Sequence, residues 1–530
     1  QAHCCCKRDL LLSVVLVLIA MSILGILVTG GGELQIAGVK INIYSIKYPF
    51  RVFLGLFALT VFLQKGTSSH LLRTIERLLT DRTVKIGLFL LALSIFIWIK
   101  FSQHYTFRTG AFDLSMYDYA LSNTLKGNFM YTPWLGRSYF SEHFAPILLL
   151  LLPFYWVHDR ATTLVVIQAL ITVLAAIPLY KLAIAKLTRP LAACCIVLVY
   201  LNYRYVLQGF MFDFHMEIFE PLWVFCVFVF LSRNASVPYF CTLVLALMCK
   251  EDMPIYMFFL GAYACVREKK WKLGVPTMLL SLLWALLAWK VFIPMSYPDG
   301  ARTSHFLERW GQYGQTYAQI LGNLLTHPGE LFGGLFLNRL KGLLSRLGYL
   351  PLADPFSLGL VLPPLLLNTT SSFDLQRHLQ VHYALPVIPF VFIALIFGIN
   401  NLCKLFPRKS YFIMNILCLY LLAANVTHLK AYPITAHDRK GHQLIAALPE
   451  KTTISAQTTI IPHLPKTQQI YLLPENPGSE YVFFDTQRFK WPLSDEEYDK
   501  TLQSMLQHPN YTLIAQEEGF YLFKKNPIAD

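Results

Sequence analysis

Charge is scarce in this chain: 14% of its 530 residues are Asp, Glu, Lys or Arg, against roughly 25% in soluble domains. That shortage excludes a water-soluble globular class, and a 55% hydrophobic content places the chain in a membrane. Acid is scarcer than base, 31 residues against 45, which leaves a net charge of +14. The basic residues gather in short loops, as the positive-inside rule requires, so nucleic acid is not an expected partner. The eleven cysteines form no Cys-x-x-Cys pair and none follows Cys418, so the C-terminal stretch folds without disulfides. There is no Walker loop, no Gly-x-Ser-x-Gly elbow, no His-Glu-x-x-His and no dinucleotide fingerprint. The chemistries tied to those motifs are therefore not indicated. No tandem repeat is visible.

What is present is a series of apolar runs. Leu10 to Val28, Pro49 to Gln64 and Val84 to Phe101 read as spans, with a small hairpin or interfacial loop from Gly30 to Ile46. Lys7 and Arg8 put the N-terminus in the cytoplasm, and the basic loop Lys65 to Lys85 lies there too. Residues 102–143 then form an outer loop with a juxtamembrane helix. Ala145 to Val157 is too short to cross and reads as a re-entrant helix. Further spans follow from Thr162 onward, about thirteen in all. The segment Leu331 to Leu352, with Arg339, Lys341 and Arg346, is either a span lining a polar cavity or an amphipathic surface helix. Residues 1–429 thus form a polytopic helical membrane domain. Residues 430–530 change character and read as a small α/β domain on the outer face, with strands near Ile454, Tyr471, Tyr481, Tyr511 and Phe520. Ser494 and Glu497 form a capping box at the start of a helix between two of them.

Acidic and His residues cluster in four short segments that this topology puts on one outer face: Phe112 to Asp118, Ser141 to Phe144, Phe212 to Glu217 and Lys250 to Asp252. Ionisable groups beside lipid are costly and mark sites. Asp113 and Asp118 are five apart and do not share a helix face, so one is expected to be functional and the other a helix-surface partner. His143 is a candidate at a helix start. Asp213, His215 and Glu217 alternate, and an extended strand would put all three on one face, where they could bind a divalent cation such as Mg or Mn. Glu251 is a further potential ligand of that cation. Glu251 and Asp252 abut a span end, with Lys250 able to neutralise one of them.

The motifs Phe112 to Gly127, Ser141 to Phe154, Asp213 to Glu217, Lys250 to Asp252, Val381 to Phe390 and Ser455 to Leu464 resemble a family of bacterial multispanning proteins known as domain of unknown function 2079. The layout is similar to that of the GT-C glycosyltransferases, which draw on polyprenyl-phosphate sugars at the outer face of the inner membrane. By that resemblance Asp113 is the counterpart of their catalytic acid residue. It implies a polyprenyl-phosphate sugar donor and a lipid, glycan or protein acceptor, with a cation or Arg137 on the phosphate and His382 at an outer span end. One departure is that an extra hairpin of spans precedes Asp113. A transporter or lipid flippase and a non-catalytic envelope-assembly protein are the alternatives.

Overall fold

The computed structural model describes residues 32–36 and 39–43 as backbone, and residues 74, 76–297, 308–426, 429 and 431–527 in full. The expected spans Leu10 to Val28 and Pro49 to Gln64, and the cytoplasmic N-terminus, lie outside these residues. The expected hairpin is present as strands β1 (Gly32–Ile36) and β2 (Val39–Ile43), antiparallel with Gln35 opposite Lys40.

Helix α1 (Arg82–Tyr105) is capped by the Asp81 carboxylate, which accepts from the Val84 amide at 3.0 Å. A wide π-type turn, Ala111–Ser115, leads into α2 (Met116–Leu125). The membrane domain continues with α3 (Ala161–Leu187), α4 (Pro190–Asn202), α5 (Arg204–Met211), α6 (Glu220–Arg233), α7 (Ser236–Leu247), α8 (Met253–Val266) and α9 (Trp271–Leu287). Beyond it lie α10 (Tyr317–Thr326), α11 (Gly334–Ser345), α12 (Ile388–Leu405) and α13 (Ser410–Ala424). Helix α12 is buried along most of its length and forms the centre of the bundle.

Among the described residues four helices are long and apolar enough to cross a membrane: α1, α3, α9 with its extension to Met295, and α12. The pair α4 and α5, bent by 46°, passes the same test as one span. The others are shorter. At 1.5 Å per residue, α6, α7 and α8 reach about 18–21 Å, less than the ~30 Å hydrocarbon core. The segment Pro146–Val157 is likewise too short to cross. Helix α11 has 12 residues, so Leu331 to Leu352 does not form one long span; Gly348, at φ +60°, and the left-handed Tyr349 end it.

Helices α8 and α9 meet through Gly261 and Gly274. A Cβ on Gly274 would come within 2.5 Å of the Gly261 carbonyl oxygen and 2.4 Å of Cys265 Sγ, so the backbones touch only because both are glycine.

The C-terminal domain is a five-stranded sheet in the order β6-β5-β7-β9-β8, with strands β5 (Thr453–Ala456), β6 (Gln469–Leu472), β7 (Tyr481–Asp485), β8 (Tyr511–Glu517) and β9 (Phe520–Lys525). A short hairpin in the outer loop, β3 (Tyr131–Thr132) with β4 (Arg137–Ser138), precedes them. Strand β5 pairs parallel to β6 and β7, and β9 pairs antiparallel to β7 and β8. Helix α15 (Asp495–Leu506) starts at the expected Ser494–Glu497 capping box. Helix α14 (Ala436–Ala446), which the sequence reading did not include, starts at a second box made by Thr435 and Asp438.

The two domains share a core. Phe107, in the loop after α1, is fully buried against His437, His442, His463 and Phe520. Arg488 Nε donates to the Thr106 carbonyl at 2.8 Å. Lys466 of the C-terminal domain reaches Asp118 Oδ1 at 2.8 Å and Asp159 Oδ1 at 2.5 Å.

Candidate functional site

Asp113 sits on the π-type turn, a wide coil whose loose hydrogen bonding often marks functional positions. The turn is held at its start from both sides. The Gly110 amide donates to Asp213 Oδ2 at 2.7 Å, and the Ala111 amide donates to Thr458 Oγ1 of the C-terminal domain at 3.1 Å. So fixed, the Asp113 side chain remains one-third exposed, with Oδ1 3.4 Å from His215 Nε2.

His215 bridges two carboxylates. Its Nδ1 lies 2.5 Å from Glu217 Oε2, and the Tyr117 hydroxyl is 3.1 Å from the same nitrogen. The Tyr139 hydroxyl donates to Tyr117 at 2.8 Å. Glu217 is fully buried, and its second oxygen takes Lys250 Nζ at 2.5 Å, with His382 Nε2 at 3.6 Å. The His382 ring stacks on His215 at 3.6 Å between centroids and 11° between planes. Burial disfavours the His215 cation, but Glu217 and Asp113 outweigh it and raise the imidazole to about 9. Burial also opposes the Glu217 anion, yet His215, Lys250 and His382 hold its carboxyl well below the usual range. Burial beside the His215 cation keeps His382 neutral, well below the ordinary imidazole value. The core of the site is thus a carboxylate–imidazolium–carboxylate–ammonium row that ends at Asp113.

A second group adjoins it. His143 Nδ1 lies 2.7 Å from Glu251 Oε1, and the Phe144 amide donates to Glu251 Oε2 at 3.1 Å. Asp252 accepts from Tyr256 at 2.9 Å. Burial raises its carboxyl to about 6, with Lys250 holding it back. His143, Glu251 and Asp252 wall a cavity of about 440 Å³ together with Glu142, Lys250, Glu308, Arg309 and Trp310. The Arg309 Nη1 donates to Gln376 Oε1 at 2.9 Å and to the Tyr383 hydroxyl at 3.4 Å. Its guanidinium lies 5.0 Å from the Phe373 ring centre, and no described carboxylate neutralises it.

Several expectations are corrected. Residues 213–217 are not an extended strand, because Met216–Phe219 coil into the first turn of α6, where Pro221 favours a helix start. Asp213 therefore parts from His215 and Glu217 and clamps Gly110; burial raises it to about 7, with Lys100 holding it back. Lys250 neutralises Glu217 rather than Glu251 or Asp252 at contact distance. Asp118 is not a helix-surface residue: it is buried, accepting from Tyr155 at 2.7 Å and from Lys466. Arg137 is neutralised by Glu142, donates to Ser141 Oγ at 2.8 Å and packs on Tyr297, away from the Asp113 row. His382, expected at a span end, lies in a buried turn that leads into α12.

The expected cation set of Asp213, His215, Glu217 and Glu251 does not assemble, since Asp213 and Glu251 have other partners. The residues that come together are His215, Glu217 and His382, whose ligand atoms lie within 4.8 Å of one another. Stacked rings are a poor metal fork, however. A metal about 2.1 Å from a nitrogen of each would lie far out of at least one ring plane, where no lone pair points. Lys250 already holds the Glu217 oxygen that His382 faces, and one carboxylate with two imidazoles is not the oxygen-rich set that Mg needs. The arrangement as it stands fits a proton and an ammonium rather than a metal.

Tyr117, Tyr139 and Arg309 were not singled out from sequence. Tyr117 is one turn from Asp113 on the same segment, which is the signal that could have found it. Arg309 sits in a polar loop that carries no periodic signal.

No curated protein matches the chain. Among solved structures, the crystal structure of ArnT from Cupriavidus metallidurans bound to undecaprenyl phosphate aligns with 84% of this chain and 98% of that one, at TM-score 0.48 and 11% identity. The crystal structure of ArnT from the same organism in the apo state aligns with 83% and 98%, at TM-score 0.49 and 11% identity. The family described as predicted membrane protein (DUF2079) matches residues 103–522, a stretch that includes every residue of the site, and the chain belongs to that family.

Proposed function

We propose that the protein is a membrane glycosyltransferase of the GT-C type, acting on the outer face of a bacterial inner membrane with its C-terminal domain outside. It moves a sugar from a polyprenyl-phosphate donor to an acceptor hydroxyl of the cell envelope. The observation that carries this reading is the row from Asp113 through His215 and Glu217 to Lys250, beside a cavity walled by Lys250 and Arg309.

Sugar transfer needs a base on the acceptor and a charge on the leaving phosphate. Asp113, oriented by the His215 cation, takes the acceptor proton. The acceptor oxygen bonds to the sugar C1, the bond from C1 to the phosphate oxygen breaks, and its electron pair leaves with polyprenyl phosphate. Arg309, without a neutralising carboxylate among the described residues, is the cation best suited to that phosphate. It is linked to the base through contacts: it meets the Tyr383 hydroxyl, beside His382, which stacks on His215.

The test uses purified protein in lipid with a panel of polyprenyl-phosphate sugars. Wild type should release polyprenyl phosphate, and Asp113→Asn should lower the rate about 10²–10⁴-fold, the usual weight of a general base. Equal release from both proteins refutes the assignment.

One observation favours a second reading, a proton-coupled transporter. Both carboxyl oxygens of Glu220 are buried without a hydrogen-bond partner, as is Asp252 Oδ1. Buried acids of this kind bind protons in transporters.

A further inference from the structure

Three cavities meet where residues 308–313 lie against residues 370–376. Ser372 N donates to the Arg309 carbonyl at 2.7 Å, Trp310 Nε1 to Thr370 Oγ1 at 2.9 Å, and Gln312 Nε2 to the Thr370 carbonyl at 2.9 Å. The first cavity is the charged one described above. The second is an apolar groove of about 190 Å³ lined by Ile255, Ile320, Leu324, Pro363 and Leu366. The third has about 680 Å³ and no aliphatic side chain in its wall. Gln312, Tyr313, Asn323 and Ser371 line it with one acid, Glu330, and one guanidinium, Arg377.

The cavities are contiguous in chemistry as well as in space. Trp310 borders the charged cavity and the groove, Thr370 borders the groove and the polar cavity, and Ser372 borders the polar and charged cavities. Helix α10 divides the two kinds of surface: its Ile320 and Leu324 face the groove while its Asn323 faces the polar cavity. Volume and wall suit a small ligand. The wall is mostly hydroxyls and amides, which both donate and accept, together with the His327 imidazole, and Arg377 has Asp374 at 4.0 Å as well as Glu330 across the space. A phosphate would find little net positive charge there, whereas the side-chain oxygens of Gln312 and Asn323, whose amide nitrogens donate to the Thr370 and Tyr313 carbonyls, can accept from the hydroxyls of a neutral polyol.

We propose that the polar cavity and the apolar groove together bind one amphiphile, a neutral glycolipid. Its sugar headgroup fills the polar cavity, its hydrocarbon chain lies along the groove, and a headgroup hydroxyl faces the charged cavity past Ser372. Its part as sugar acceptor rests on the transferase reading; the binding itself does not.

The test is native mass spectrometry of the full chain released from micelles. The probes are three lipids of matched acyl chains: monoglucosyl diacylglycerol, plain diacylglycerol and phosphatidylglycerol. The glucosyl lipid should be retained at one equivalent, about tenfold more tightly than either other lipid, as one or two net hydrogen bonds would give. Gln312→Leu with Asn323→Leu should abolish that preference. A competition on wild type guards against a variant that fails to fold: octyl glucoside should displace the glycolipid at about tenfold lower concentration than octyl phosphate. Equal retention of the three lipids, or equal displacement by the two octyl compounds, overturns the proposal. The transferase reading fails separately. Asp113→Asn should bind the glycolipid as wild type does, so unchanged polyprenyl phosphate release in that variant would sink the transferase reading and leave the glycolipid site standing.

Discussion

Replacing Glu217 with Gln tests the electrostatic core of the site without changing its shape. Gln keeps an oxygen for Lys250 and fills the same space, but removes the charge that holds the His215 proton. In wild type the His215 imidazole is raised from 6.5 to about 9, with burial as the opposing influence and Glu217 the strongest support. A group raised on folding stabilises the fold fully below its unfolded value and loses that contribution as pH climbs through its folded value. His215 therefore contributes about 3 kcal/mol below pH 6.5, and this drains away between pH 6.5 and 9. The same ion pair is what depresses Glu217, so its energy is counted once. In Glu217→Gln, burial prevails, the His215 value falls, and the pH-dependent contribution between 6.5 and 9 should vanish. Near pH 6 the gap between variant and wild type should be about 3 kcal/mol wider than at pH 9, where the cost of leaving the buried Lys250 without its carboxylate remains. Reversible urea unfolding in mixed micelles, run at half-unit pH steps, reads this difference directly. Asp213, also raised by burial, is held back in part by the His215 cation, so loss of that cation in the variant should raise it further. A constant gap across the whole pH range would refute the assignment of the His215 cation to Glu217.

Other substitutions probe neighbouring features. Lys466→Met leaves Asp118 buried without its cation and should cost about 3–5 kcal/mol, seen as earlier trypsin cleavage within the outer domain. Gly274→Leu drives a side chain into the Gly261 carbonyl and should destabilise the α8–α9 contact by at least 1–3 kcal/mol, measured by thermal unfolding in micelles. Chelation with EDTA should leave polyprenyl phosphate release unchanged, because the stacked His215 and His382 do not form a metal fork; loss of turnover restored by Mg or Mn would contradict this.

The C-terminal domain was legible because short runs of β-branched and aromatic residues and the Ser494–Glu497 box are local signals, written within a few positions of one another. Helix α14 carries an equally local box at Thr435 and Asp438 but few apolar residues, and the hydrophobic pattern alone passed over it. An apolar run of 12–14 residues, such as α7 or α8, has the composition of a span without its length. At the site, the sequence identified the segments that converge, but not the pairing inside them. Whether Lys250 chooses Glu217 or Glu251 depends on packing among residues more than thirty positions apart. The division of Asp213 from His215 depends on where α6 begins, and one coiled turn was enough to undo the extended pattern.

The turn that carries Asp113 hangs from two anchors, Asp213 in the membrane domain and Thr458 in the outer domain. A carboxylate suspended in this way reports on both bodies at once. Any tilt of the outer domain, by a bound chain or a neighbouring protein, would be transmitted to the Ala111 amide and so move Asp113 relative to His215. The C-terminal domain is therefore better regarded as half of the mounting than as a cover, and a change in either part loosens the residue they jointly hold.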